Sequence, residues 1–205
     1  MPVTDKSTEY RKFQETVWMP FDRERGFRLL VLATKLLDFF KVPYHLEGGT
    51  LLGLVRDKEL LPWDDDMDIS IPASHKGRAY LALLPLFLLG WRVDRRRWKL
   101  FGSYGFKGTR IIKVRDRSRG LLRTGRVYLD VIVKEEIENS VYWEAKERLM
   151  RVASSYYDGY DSIFVDGQTF KAPKKHKDYL SEKYGDWSIP VKEWDCGTDE
   201  KTIVE

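Results

Sequence analysis

Cysteine is almost missing from this sequence: Cys196 stands alone, so no internal disulfide can form and a core has to hold the fold. Histidine is scarce as well. His45, His75 and His176 are scattered along the chain, which argues against a zinc site made of imidazole and thiolate. No long hydrophobic run is present. The first twenty residues are polar and interrupted by Pro20, without a signal-peptide core, and the most apolar stretch, Ala79 to Trp91, is too short to span a bilayer and contains Pro85. A cytoplasmic setting with no transmembrane segment is therefore expected. Charge of one sign is lacking too: 36 basic residues stand against 32 acidic ones, a field too weak to imply nucleic acid as a partner. Repeats, low-complexity tracts and interdomain linkers are also absent.

What is there suits a single folded body. A chain of 205 residues with 42% hydrophobic content can bury one core, so residues 1–205 are expected to form one domain. Seven Trp and eleven Tyr exclude a disordered chain. Basic residues bunch at Arg92 to Lys99 and at Lys107 to Arg126, either as a solvated face or as a wall that attracts a diphosphate.

Apolar residues recur at helical spacing from Asp22 to Lys41, with Asp22 as the candidate cap, until Val42-Pro43 ends the pattern. Tyr44 to Glu47 reads as a strand, Thr50 to Val55 as a short helix, and Met67 to Ile71 as a strand closed by Pro72. A helix is expected from about His75 to Leu89 after Ser74. Strands are expected near Trp98 to Tyr104, Arg110 to Arg115 and Arg126 to Val133. Then come a helix from about Val141 to Ser154, a β segment around Ser162 to Phe170, a helix from Lys174 to Tyr184 and an irregular tail over 191–205. This order predicts an α+β domain with a mixed β-sheet flanked by helices.

Two stretches carry the chemistry. Gly48-Gly49 after a strand, with a helix starting at Thr50, can either form an ordinary turn or bring backbone N–H groups to a phosphate. The second stretch, Pro62-Trp63-Asp64-Asp65-Asp66-Met67-Asp68-Ile69, crowds four carboxylates among apolar residues, a repulsion that a divalent cation relieves. Asp66 and Asp68 lie two apart on a β segment and so share a face, while Met67 and Ile69 face the core. An all-oxygen site suits Mg²⁺ or Mn²⁺. Asp130, the charged residue inside the apolar run Tyr128 to Val133, is the candidate third carboxylate, either as a metal ligand or as the base for an acceptor hydroxyl.

These residues resemble the LicD family, a branch of the nucleotidyltransferase superfamily that includes the fukutin-type enzymes. The family's Gly-Thr-Leu-Leu-Gly, Arg and Pro-Trp-Asp-Asp-Asp-hydrophobic-Asp pattern is matched by Gly49 to Gly53, Arg56 and Pro62 to Asp68. Phe170-Lys171-Ala172-Pro173, Tyr179-Leu180, Tyr184-Gly185-Asp186-Trp187 and Pro190 resemble its C-terminal pattern, so the likeness brackets residues 46–190. Between His75 and Arg126 nothing matches. The resemblance implies a nucleotidyltransferase-like fold, with metal carboxylates at Asp66, Asp68 and Asp130. It also implies transfer of phosphocholine, or of a phospho-polyol, from a CDP-linked donor to a hydroxyl acceptor such as a glycan or small molecule. Gly48, Gly49, Thr50, Arg56 and Trp63 are then substrate-binding candidates, with Arg56 on a donor phosphate or bracing the acidic loop, and Asp64 and Asp65 support the site. Trp63 and Trp98 either build an aromatic cage for a quaternary ammonium or pack in the core. Two other readings use the same residues: a plain nucleotidyltransferase that moves a nucleoside monophosphate, and a metal-binding module without chemistry.

Overall fold

The computed structural model describes residues 21–98, 104–117, 120 and 125–204. Helix α1 (Arg23–Phe39) starts where expected, because the Asp22 carboxylate accepts the Arg25 N–H at 3.0 Å and satisfies one of the free donors of the first turn. Its Leu29, Leu30, Ala33 and Leu37 stripe is buried. After Pro43 the chain enters β1 (His45–Glu47), then α2 (Gly48–Arg56), β2 (Met67–Pro72) and α3 (Lys76–Leu83). Strands β3 (Trp91–Arg97), β4 (Thr109–Asp116) and β5 (Val127–Ile137) follow, then the hairpins β6 (Ser140–Ala145) with β7 (Arg148–Ala153) and β8 (Asp161–Val165) with β9 (Gln168–Ala172), and last α4 (His176–Tyr184).

The sheet runs β1-β2-β5-β4-β3, with β6 and β7 continuing from the far end of β5. β2 and β5 are parallel and the pairs β1·β2, β4·β5 and β3·β4 antiparallel, so this is the mixed sheet of an α+β fold. Strand side chains alternate between faces. Met67, Ile69, Ile71, Leu129, Val131, Val133, Ile112 and Val114 line one face with at most 1% exposure, each contributing about 1.5–3 kcal/mol by leaving water. Helices α1 and α3 cover that side: Arg25 of α1 stacks on Trp91, and Tyr80 of α3 meets Arg95.

Several expected elements differ. The helix placed over Val141 to Ser154 is instead the β6–β7 hairpin, closed by Lys146 and Glu147 with φ of 45° and 63°, the paired left-handed residues of a tight hairpin turn. Its β-branched and aromatic residues, Val141, Trp143 and Val152, are buried at two-residue spacing, a pattern that the apparent helical spacing concealed. The helix expected from His75 to Leu89 breaks at Leu83 and continues as a 3-10 segment, Leu84–Leu89. Pro85 there cannot donate to the preceding turn, and Gly90 ends the segment at φ 84°. The strand expected at Trp98 to Tyr104 lies earlier, at Trp91–Arg97; residues 99–103 lie outside the described residues. The single β segment near Ser162 to Phe170 is the β8–β9 hairpin. The tail has no helix or named strand, as expected, yet Glu200 and Thr202 are buried and Ile203 bridges to Met150. Among the described residues no helix is long and apolar enough to cross a membrane.

Candidate active site

The face of the sheet away from α1 and α3 carries charge. Register pairs Glu47 of β1 with Asp68 of β2, Asp68 with Asp130 of β5, Asp130 with Lys113 of β4, and Lys113 with Asp94 of β3. Paired residues point the same way, so these five side chains form a row across five strands, with adjacent strands about 4.8 Å apart. The parallel pairing of β2 with β5 is thus what sets Asp130 beside Asp68. Asp66 lies one residue before β2, at the end of the acidic loop rather than on the strand itself.

Gly48 and Gly49 stand inside the first turn of α2, not ahead of a helix starting at Thr50. A Cβ on Gly48 would meet Asp68 Oδ2 at 2.3 Å, and one on Gly49 would meet Asp64 Oδ2 at 1.9 Å. The bare backbone here makes room for the Asp68 and Asp64 carboxylates, where the sequence had left open an ordinary turn or a phosphate cradle. Gly48 also has φ +55°, which side-chain-bearing residues seldom adopt. Thr50 is buried, and its Oγ1 accepts the Asp68 N–H at 2.8 Å, so its role in the structure is to fix the first turn of α2 to the entry of β2.

Burial first, and then Asp68, Asp130, Asp64 and Asp65, push the Asp66 carboxyl well above the usual carboxylate range. Asp68 is raised in the same way by burial and by Asp130 and Asp64, with Lys183 opposing. Asp64 is pushed up to about 6, mainly by burial. Asp130 is raised by burial, while Lys113, Arg115 and Arg110 pull it down; its Oδ2 takes an ion pair from Lys113 Nζ and its buried Oδ1 accepts no hydrogen bond. Carboxylate oxygens of Asp64, Asp65 and Asp66 also lie within 4.8 Å of one another.

Arg56 does not brace the acidic loop: its guanidinium makes two 2.8 Å bonds to Asp57 and reaches the Trp187 carbonyl at 3.3 Å. Arg126, just before β5, does so instead, donating to the Asp65 carbonyl at 3.0 and 3.1 Å and pairing with its carboxylate at 3.1 Å. It lay within the noted basic stretch Lys107 to Arg126, but no periodicity marked it. Trp63 is half-buried against the core with Lys192 Nζ 5.9 Å from its ring. Trp98 packs elsewhere, 4.7 Å from Phe106, so the structure records no cage joining the two.

Sequence reasoning also missed a buried network behind the row. Tyr157 and Tyr179 hydroxyls donate to the two Glu47 oxygens at 2.6 and 2.7 Å, and Lys134 Nζ lies 3.4 Å from Glu47. Burial alone would raise Glu47, but Lys134, Lys183 and the two tyrosines outweigh it and hold the carboxyl below its ordinary value. Lys183 pairs in turn with Glu200 at 2.7 Å, which anchors the tail under the site. Part of the signal was available: Glu47 ends the short strand His45–Glu47 and Lys113 is flanked by Ile111, Ile112 and Val114, but Arg110, Arg115 and Asp116 share the Lys113 strand and blur it.

The profile described as LicD/FKTN/FKRP, nucleotidyltransferase domain, matches residues 41–175, most of the chain and every carboxylate of the row and loop. The chain belongs to the LicD family. The lipopolysaccharide cholinephosphotransferase LicD of Haemophilus influenzae is 50% identical over 46 residues, which cover 19% of this chain and 17% of that protein. An uncharacterized protein of Rickettsia prowazekii is 38% identical over 73 residues, covering 35% of this chain and 27% of its own length. The matched stretches therefore span well under a third of either relative. Among solved structures, a lincomycin-bound lincosamide antibiotic adenylyltransferase superposes with a TM-score of 0.46 at 15% identity, over 79% of this chain and 86% of that one. The antibiotic-resistance factor ANT(2'')-Ia gives 0.48 at 16% identity, over 83% and 80%. Neither structure adds to the family assignment.

In this LicD domain the donor set suits a hard divalent ion. All the candidate groups are carboxylate oxygens, their pKa values are raised by burial and then by mutual repulsion, and Asp130 Oδ1 is buried without a partner, a state that costs about 1–3 kcal/mol unless something binds it.

Proposed function

We propose that the chain is a metal-dependent transferase that moves a phospho-substituted group, phosphocholine first and a phospho-polyol second, from a CDP-linked donor to a hydroxyl of a glycan or small molecule. The observation that carries this reading is the adjacency of Asp68 and Asp130 in parallel register, with an unpartnered Asp130 oxygen between strands and Asp66 at the loop end. The cholinephosphotransferase relative supports the choice of group.

Asp66, Asp68 and Asp130 would hold one or two Mg²⁺ or Mn²⁺ ions. When bound, such ions neutralise the donor diphosphate and the charge that develops in transfer. The acceptor oxygen attacks the phosphorus of the transferred group in line, the bond from that phosphorus to the bridging oxygen breaks, and CMP leaves. Asp130 would orient the acceptor hydroxyl and take its proton. Lys113 pairs with Asp130 Oδ2, which fixes that carboxylate and opposes the burial that raises its pKa. Arg126 holds the acidic loop at Asp65, and Thr50 holds the start of β2. Asp64 and Asp65 then shape the loop around Asp66.

The test is product mass. Incubation of the protein with Mg²⁺ or Mn²⁺, CDP-choline or CDP-ribitol and a panel of sugars should give an acceptor heavier by the phospho-group, with CMP released. An acceptor carrying CMP would identify a plain nucleotidyltransferase. Turnover left intact by Asp68→Asn and Asp130→Asn would sink the site assignment.

A further inference from the structure

The row and its network leave one conspicuous surface unused. Leu81, Leu84, Phe87, Leu88 and Leu89 are exposed by 60, 40, 49, 84 and 60%, all on α3 and the 3-10 turn that Gly90 ends. A contiguous apolar surface of this kind marks a contact site in a water-soluble fold. It belongs to the helical layer, on the opposite side of the sheet from the charged row, so neither the donor nor the acceptor of the proposed reaction explains it.

The surroundings of this patch are basic. From Ala73 to Arg97 the chain holds six Lys and Arg residues and one acid, Asp94, which Arg92 and Arg115 occupy at 2.9 and 3.4 Å. Arg78 lies one helical turn before Leu81 and is exposed; Arg95 of β3, paired with Ile112 on the helix side of the sheet, is exposed as well and lies over the Tyr80 ring of α3. Arg117 lies over the Phe87 ring at 3.8 Å and donates to the Phe87 carbonyl at 3.1 Å, which fixes a cation at the base of the apolar tip. The shape also decides between partners. Leu88 and Leu89 protrude at the tip of a turn, which suits insertion between lipid headgroups better than burial in a protein interface, whose anchors fill pockets.

We infer that this surface is a peripheral docking site for an anionic lipid bilayer, with Phe87, Leu88 and Leu89 entering the headgroup region and the surrounding arginines on lipid phosphates. Docking there would leave the charged face of the sheet open to substrate. Each apolar side chain adds hydrophobic affinity and each arginine about 1 kcal/mol, or about five-fold in binding.

The experiment is co-sedimentation of the full chain with vesicles of phosphatidylcholine alone and with about 30% phosphatidylglycerol, at low and high salt. The expected result is binding to anionic vesicles only, weakened by salt, lost in Leu88→Glu/Leu89→Glu and reduced about 25-fold in Arg78→Gln/Arg95→Gln, with far-UV CD and Tm unchanged in both. No binding to anionic vesicles, or binding that survives Leu88→Glu/Leu89→Glu, overturns the proposal. So does a concentration-dependent dimer that Leu88→Glu dissolves, because a second copy then covers the patch. A fall in Tm on Leu88→Glu without vesicle binding by the parent overturns it too, since the chain's own segments then cover the leucines.

Discussion

The two faces of one sheet follow opposite physics. On the helix side, Met67, Ile69, Leu129, Val131, Ile112 and Val114 leave water entirely; on the other, the same strands present Asp68, Asp130 and Lys113 at the intervening positions. The first face stabilises the fold and has no chemistry. The second concentrates like charges that the fold tolerates at a cost, a cost that binding of a cation, as proposed, would relieve. Substitution on one face should therefore unfold the protein without touching chemistry, and substitution on the other should abolish chemistry while sparing or improving stability.

The largest expected effect is on the charged face. Asp68→Asn keeps the shape but removes a carboxylate that faces Asp130, and turnover should fall by about a thousand-fold or more, since metal-assisted charge stabilisation contributes several kcal/mol. In metal-free buffer the same variant should melt no lower than the parent, because one source of repulsion on Asp66 and Asp130 is gone. Steady-state rates with thermal melts test both halves. A variant that loses activity only because it unfolds would erase the distinction between the faces.

The converse substitution is Ile112→Ala, on the buried side of β4 next to Lys113. It should cost about 2–5 kcal/mol in urea unfolding through the lost burial and the cavity left behind, with kcat nearly unchanged wherever the protein stays folded. A kcat loss larger than about ten-fold in the folded state would show that the buried face also positions the row.

How far each face was legible in the sequence follows from what sets it. The alternation of Met67, Ile69 and Ile71 is local, and so are the Asp22 cap and the Asp64 to Asp68 cluster, which could be read directly. The place of Asp130 depended on β2 running parallel to β5, a pairing between residues far apart in sequence that the pattern could propose but not fix. Arg126 for Arg56 is the same lesson: Arg56 lies near the acidic loop in sequence, yet α2 carries it toward Trp187, while Arg126 arrives from the start of β5. The Val141 to Ser154 segment was misread because its apolar residues fit a helix as well as a hairpin, and the deciding turn, Lys146-Glu147, contains no glycine or asparagine. Glu47, Lys134 and Glu200 were invisible as a group because only the fold makes them neighbours.

The glycines where the faces meet give a smaller, sharper effect. Gly48→Ala places a methyl group 2.3 Å from Asp68 Oδ2 and asks alanine to hold φ +55°, which should cost about 1–3 kcal/mol in stability. The displaced carboxylate should raise the concentration of Mg²⁺ or Mn²⁺ needed for half-maximal rate. Gly77→Ala, in helix α3 where an added Cβ meets nothing within 4 Å, is the control that should leave the metal requirement unchanged and raise stability by about 0.5–1 kcal/mol. Equal effects at both positions would mean that the clash with Asp68 is not what makes Gly48 matter.

The smallest effect is a pH dependence. Asp64, pushed up to about 6, and Asp66 and Asp68, raised well above the usual carboxylate range, have folded-state pKa values above those of the unfolded chain. A group raised in this way contributes stability that is fully present below its unfolded pKa and is lost as pH rises through its folded pKa. For Asp64 that window runs from about pH 4 to about pH 6, and Asp66 and Asp68 act in the same direction, so these groups favour the metal-free fold on the acid side of neutrality. His45 works in the opposite direction, because burial lowers its pKa and protonation below about 6.5 disfavours the fold. The two contributions separate when the rise in Tm caused by Mg²⁺ or Mn²⁺ is measured against pH. A cation binds only the deprotonated carboxylates, so that rise should grow between about pH 5 and about pH 7.5, whereas His45 shifts the melts with and without metal alike. A metal-induced rise that stays constant over this window would mean that the carboxylates are already ionised at pH 5, and the charged face would then lack the repulsion that distinguishes it from the buried one.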